Sequence, residues 1–220
     1  MPTRKTSKTR RKRPQQARSR ATVDALLEAA AQLFERHGVG ATTTDRIAER
    51  AGVSVGSLYQ YFGDKQALLV ALSERHLDEG EAVVRAAFGE LAAPDRPLDE
   101  WVAALIETFV ALHRERPALH RVLTEEGPLP TRVRRRVEAL EAAAVEALAG
   151  LLRQRTDVRV PDSRLAAHFL VVWVDAVAHR LVLHPPDGVT TEALCAEAER
   201  LIVAYLASGD APTGRRAASR

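Results

Sequence analysis

From Val23 onward, apolar residues return every third or fourth position. Val23, Leu26, Leu27, Ala30, Leu33 and Phe34 trace one face of a helix that Thr22 or Ser19 can cap and Gly38 stops. Three threonines follow at 42–44, and Thr43 or Thr44 can N-cap a short helix carrying Ile47, Ala48 and Ala51. After Gly52, a second short helix is predicted from about Val55 to Phe62, with Val55, Leu58 and Phe62 on one face. Gly63 ends it and Asp64 caps the next. That helix carries Leu68, Leu69, Leu72, His76, Val83, Val84 and Ala87 and runs to Phe88, loosened at Gly80. Five further helices follow from the same period: Leu98 to Leu112, a short one opened by Pro117, Val133 to Leu152, Pro161 to about His184, and 190–207. The segments APDRP (93–97), GPLP (127–130) and PPDG (185–188) break them. No segment alternates with period two for long, so the chain reads as all-α.

Composition narrows the class. Of 220 residues 46% are hydrophobic, enough for a packed core over most of the chain. Cys195 is the only cysteine, which excludes an internal disulfide and a cysteine-based zinc site. The longest strongly apolar stretch, Leu165 to Val174, is too short to span a bilayer and runs into Asp175, so no membrane partner is expected. The N-terminus is polar and basic without an apolar core, so no secretory signal is expected and the reading is a soluble cytoplasmic protein. The net charge of +3 hides an asymmetry. Residues 1–20 hold nine Lys/Arg and residues 211–220 three Arg, with no acid in either, leaving −9 on 21–210. A basic arm on an acidic body fits a nucleic-acid partner; the other reading is a solubilising tail, disordered when free.

The stretch TTTDRIAERAGVSVGSLYQYFGDKQALL (42–69) is the most informative. Two short helices joined at Ala-Gly-Val-Ser have helix-turn-helix spacing, with Gly52 where the turn needs positive φ. Ile47, Ala48, Val53 and Leu58 can pack the two helices together. Val55, Gly56, Ser57, Tyr59, Gln60 and Tyr61 are then left near the exposed side of the second, whose small first residues permit close approach to a major groove. Tyr59 also admits a core reading and Gln60 that of an ordinary surface residue.

This stretch resembles the TetR family of transcriptional regulators. The likeness covers about residues 22–72: a first amphipathic helix ending in Gly, the Thr run, Ile-Ala-x-x-Ala-Gly-Val-Ser, Gly-Ser-Leu-Tyr-x-Tyr-Phe and Asp-Lys-x-x-Leu-Leu. Beyond about residue 85 it implies architecture only. The implied division is a disordered basic arm (1–20), a three-helix DNA-binding domain (21–66), a larger helical ligand-binding and dimerisation domain (67–208) and a disordered tail (209–220). The implied contacts to double-stranded DNA are Thr43, Thr44, Ser54, Val55, Gly56, Ser57, Tyr59, Gln60 and Tyr61, with Lys65 as the lysine that anchors the DNA backbone. Gln60 can pair bidentately with adenine, and Val55 can touch a thymine methyl. One departure stands out: residues 21–85 hold six Lys/Arg against ten Asp/Glu, so nonspecific attraction is left to the arm.

The helix predicted over 161–184 is apolar nearly all round and must be covered on more than one side. By resemblance it joins the last helix in the interface of a homodimer, with Val174, Leu201, Ile202 and Tyr205 as seam residues; a monomeric helical core is the alternative. A small-molecule pocket is expected around Trp101, Phe109, Phe169 and Trp173, and Phe88 is a further candidate. Polarity would come from His113, His168, His120 or Arg121. For each aromatic, core packing is the other reading. The run Arg132, Arg134, Arg135, Arg136 reads as a solvated face. His168, Asp175 and His179 fall within roughly 40° on one helix face. They read as a structural network for Asp175 and His179, with His168 as the pocket residue; a metal site is the weaker alternative. No glycine-rich phosphate loop, nucleophile elbow or metal-ligand spacing occurs, so neither an enzyme nor a cofactor nor a metal is expected. The expectation is a dimeric repressor released from a pseudo-palindromic operator by a small apolar or amphipathic effector. The alternative is a DNA-organising protein without a ligand and with weak sequence preference.

Overall fold

A computed structural model describes residues 12–93, 95–126 and 129–209, and side chains from Gln16 onward. Among the described residues the secondary structure is helical throughout, in the order α1 (Lys12–Ala41), α2 (Thr44–Ala51), α3 (Val55–Tyr61), α4 (Lys65–Leu91), α5 (Leu98–Arg114), α6 (Pro117–Glu125), α7 (Thr131–Gln154), α8 (Ser163–Leu183) and α9 (Thr191–Ala207). The punctuation anticipated in the sequence is in place. Thr43 caps α2 by accepting from the Arg46 N–H at 3.3 Å, Ser54 caps α3 through Ser57 N–H at 3.1 Å, and Asp64 takes the Ala67 N–H at 2.7 Å. Gly52 closes α2 at φ 68°, ψ 29°, a conformation that would strain any residue with a Cβ. Pro117 opens α6, where its missing N–H has no helical partner to lose.

Two expectations at the ends of elements are corrected. Residues 12–20 belong to α1 rather than to a disordered arm. The segment lacks apolar periodicity, but Arg, Gln and Ala are strong helix formers and Pro14 falls in the first turn, where proline is tolerated. Thr22 therefore does not cap; its hydroxyl donates back to the Arg18 carbonyl at 3.0 Å, inside the helix. Residues 1–11 of the arm and 210–220 of the tail lie outside the described residues. The helix expected to start at Pro161 starts at Ser163, because Asp162 accepts from the Arg164 and Leu165 N–H groups at 2.9 and 3.0 Å.

The chain divides into two units, residues 1–75 with 118–130, and residues 76–117 with 131–220. The boundary thus falls nine residues later than the motif suggests, and α6 joins the first unit. The reason is packing: Leu119, Val122 and Leu123 are buried in one core with Leu26, Phe34, Ile47, Leu58, Leu68 and Leu72. The second unit has its own core, centred on Trp101, Leu105, Leu148, Leu152, Leu170 and Ile202. Helix α8 is its axis, packed against α5, α7 and α9. By length and composition α8 could cross a membrane, which the shorter stretch read from the sequence could not. Its Ala166, Ala167, Leu170, Val171, Val174, Ala178 and Leu181 are instead buried in the domain core. Among the described residues no buried side-chain nitrogen or oxygen lacks a partner.

Candidate nucleic-acid interface and regulatory cleft

In the first unit, α2 and α3 are locked by a few fully buried side chains. Ile47 and Ala48 anchor α2 and Leu58 anchors α3; burial of a side chain the size of Ile or Leu is worth roughly 1.5–3 kcal/mol. The anchored faces fix which residues look outward. Gly56 and Gln60 are exposed, Tyr59 and Tyr61 are 50% and 39% exposed, and Val55 and Ser57 are half-exposed. Thr44, in the first turn of α2, shares a hydrogen bond of 3.1 Å with the Tyr59 hydroxyl, so the phenol ties the two helices on their open side. Tyr59 is therefore not a core residue. Ser54 and Ser57 bond each other through their hydroxyls at 3.0 Å beneath the α3 N-terminus. A Cβ at Gly56 would meet only the Ser54 hydroxyl, at 3.9 Å.

Lys65 is tied into the first unit. Its ammonium donates to the carbonyls of Val39, Gly40 and Thr42 at 2.6, 3.2 and 2.9 Å. These three acceptors engage all three of its protons. In the chain without DNA this ammonium holds the end of α1, where the helix breaks at Gly38 (φ 73°, ψ 164°). Thr42, buried, donates to the Gly38 carbonyl at 2.8 Å, and Glu126 accepts the Val39 N–H at 2.8 Å. Lys65, Thr42 and Glu126 together satisfy backbone groups that the break frees.

In the second unit, α4, α5, α7 and α8 enclose an open cleft of about 610 Å³. Its walls are apolar, with Leu77, Val84, Phe88, Phe109, Leu112, Leu140, Val171 and Val172 among them, and four ionisable residues reach it: Glu81, Arg85, Glu141 and Asp175. Of the residues expected in a pocket, Phe88 and Phe109 line this cleft and the others do not. Trp101 is fully buried in the core, its indole N–H donating to the Leu91 carbonyl at 3.0 Å, with the Arg155 guanidinium 5.5 Å from its ring centroid. His120 and Arg121 lie on α6, in the first unit. His168 is exposed. Phe169 and Trp173 stack at 6.1 Å, and Phe169 meets Tyr205 of α9 at 5.6 Å, forming an aromatic group on the outer side of α8 and α9. The helical period could not tell these apart, since cleft, core and outer face all require apolar side chains at the same spacing.

The polar stripe of α8 is resolved in a different way from the expectation. Asp175, not His168, faces the cleft, and its partner comes from α5. His113 is buried, with Nδ1 2.7 Å from the Phe109 carbonyl and Nε2 3.8 Å from Asp175 Oδ1. The His179 ring stands edge-on to His113 at 5.5 Å. Burial raises the Asp175 carboxyl above its ordinary range, against the opposing pull of His113 and His179. Arg136 is not merely solvated: it pairs with Asp78 and reaches Glu81 at 3.4 Å. Cys195 is half-buried between α5 and α9, and burial raises its thiol above the ordinary value.

The seam residues also separate. Val174 and Ile202 are buried in the core of their own unit, whereas Leu201 and Tyr205 are exposed, Leu201 at 60%. Exposed Leu165 and Phe169 continue the apolar face on α8.

A helix-turn-helix unit with an open recognition face, followed by a larger helical unit holding an apolar cleft, is the architecture of a DNA-binding regulator. Residues 26–72 match the family described as "Bacterial regulatory proteins, tetR family", and residues 97–206, half of the chain, match "Tetracyclin repressor-like, C-terminal domain". The chain belongs to the TetR family. Its relatives include the nucleoid occlusion factor SlmA of Haemophilus ducreyi, 29% identical over 156 residues, which cover 68% of this chain and 75% of SlmA. The transcriptional activator FasR of Mycolicibacterium smegmatis is 29% identical over 158 residues, 71% of this chain and 70% of FasR. The regulator FadR from Bacillus subtilis, solved in complex with stearoyl-CoA, shares the fold with a TM-score of 0.57 at 19% identity, covering 85% of this chain and 98% of FadR.

Proposed function

We propose that the chain is a homodimeric repressor that leaves a pseudo-palindromic operator when a small apolar or amphipathic molecule enters the cleft of the second unit. The cleft carries this reading. At about 610 Å³ it falls within the roughly 300–1,000 Å³ usual for small-molecule sites, and its walls are mostly apolar with a few ionisable groups. FadR, with the same fold, is solved with a bound acyl-CoA, which supports a ligand site in such a unit.

On the DNA side, the proposed contacts are Thr43, Thr44, Ser54, Val55, Gly56, Ser57, Tyr59, Gln60 and Tyr61. Gly56 is the telling one. Among the described residues nothing needs a glycine there, since a Cβ would have one neighbour, at 3.9 Å, and glycine in a helix costs about 1 kcal/mol relative to alanine. The requirement comes from outside, from close approach to DNA. The apolar outer face of α8 and α9, with Leu165, Phe169, Leu201 and Tyr205, supplies the dimer surface, because such a patch is seldom left to water. Ligand acts only through different affinities for two conformers, one of which sets the recognition helices of the dimer at the wrong separation.

The likeness to SlmA supports a second reading, a DNA-organising role. Selection of bound DNA from a random pool, followed by salt-titrated binding to selected and random duplexes, tests the two. A selected pseudo-palindrome bound at least about 10³-fold more tightly than random DNA supports the regulator; a ratio near one overturns it.

A further inference from the structure

We propose that the cleft of the second unit is selective for lipophilic cations: molecules with an apolar body and an amine, quaternary ammonium or similar positive centre. This rests on the reading of the cleft as the effector site and adds the sign of the ligand's charge. The argument is a charge count along the walls. Glu81 and Arg85, one turn apart on α4, are ion-paired, and Arg136 reaches Glu81 at 3.4 Å while pairing with Asp78. These two acids and two arginines neutralise one another. Among the described residues, that leaves Glu141 on α7 and Asp175 on α8 as cleft-facing acids in no ion pair with an arginine or lysine.

Asp175 is backed by His113 of α5 at a distance too long for a hydrogen bond. The Phe109 carbonyl can only accept, so His113 Nδ1 carries a proton. His113 Nε2 stands 3.8 Å from Asp175 Oδ1, within ion-pair range but beyond hydrogen-bond reach. The Asp175 carboxylate therefore has acceptor capacity turned to the cleft, where its side chain is 54% accessible. Two carboxylates on facing helices of an apolar chamber attract a cation whose apolar body the walls can cover. They repel a carboxylate or phosphate of the same shape.

The test uses a pair of probes of nearly identical shape and opposite charge, tetraphenylphosphonium and tetraphenylborate, titrated calorimetrically into the full-length protein. The expected result is tighter binding of the phosphonium by about tenfold or more, as for one charge-assisted contact. Glu141→Gln and Asp175→Asn, made separately and together, should each weaken the phosphonium and spare or strengthen the borate. Ala147→Trp, which fills the cleft from α7, should abolish binding of both. Borate binding as tight as phosphonium and lost in Ala147→Trp overturns the charge selectivity while leaving the effector site in place. If neither ion binds, or Ala147→Trp changes nothing, both the selectivity and the site fall. Because Glu141→Gln lies apart from the His113 contact, it keeps the test open should Asp175→Asn perturb folding.

Discussion

Thr44 and Tyr59 meet hydroxyl to hydroxyl at 3.1 Å, across the two helices of the DNA-binding motif. The bond is exposed, so its loss should cost well under about 1 kcal/mol of stability. Its value lies in holding a half-exposed phenol in one orientation. Thr44→Val and Tyr59→Phe should each lower DNA affinity severalfold, and the double variant should be little worse than either alone. A double-mutant cycle on a selected operator measures this, and fully additive losses would show that the pair does not act as a unit.

Gly56 separates folding from function. Gly56→Ala should leave the melting temperature unchanged or raise it, since the added methyl meets nothing closer than 3.9 Å and alanine favours the helix. Operator binding should fall by tenfold or more, measured by fluorescence anisotropy. Retained affinity in a stable variant would remove the close-approach role.

Lys65 should behave as a structural residue. Lys65→Met strips three carbonyls at the end of α1 of their donor, a loss of about 1–3 kcal/mol from the first unit. The slope of log affinity against log salt should be unchanged, because no phosphate contact is lost. A slope flattened by about one unit would restore a direct backbone contact.

Asp175 gives stability a pH signature. Its carboxyl is raised in the folded state, so it binds a proton more tightly there than in the unfolded chain. The stability this adds is fully present below the ordinary value of 3.8 and is lost as pH rises through the higher folded value. Asp175→Asn should therefore melt higher than the parent at pH 7, with the gap closing as pH falls toward 4. A gap that stays constant across this range contradicts the assignment.

Leu201 and Ile202 are adjacent in sequence and should fail differently. Leu201→Arg places a charge on an exposed apolar face and should dissociate the dimer without unfolding it. Ile202→Arg buries the charge in the core of its own unit and should unfold it. Sedimentation velocity with circular dichroism distinguishes the two, and a folded dimer of Leu201→Arg would place the seam elsewhere.

The helices and their caps were legible in the sequence because amphipathic period and punctuation are local: Thr43, Gly52, Ser54 and Asp64 act on residues within one turn. The start of α1 was not, since Arg, Gln and Ala favour a helix without marking one by apolar period. The partners of Lys65 lie 23–26 residues away and are carbonyls, to which side-chain patterns are blind. Trp101, Phe109 and Phe169 each obey a helical period, yet one is core, one cleft wall and one outer face. The assignment depends on which neighbour each helix turns toward. The same ambiguity hid the difference between Val174 and Tyr205.

Cys195 gives the molecule an internal clock. It is the single thiol of the chain, wedged between α5 and α9, and its raised proton affinity leaves little thiolate at neutral pH. Alkylation in the native state is thus slower than in an unfolded chain, where the same thiol is fully exposed. The ratio of native to unfolded labelling rates, followed by mass, therefore reports how far the packing of α9 on α5 shields that position, without an introduced probe.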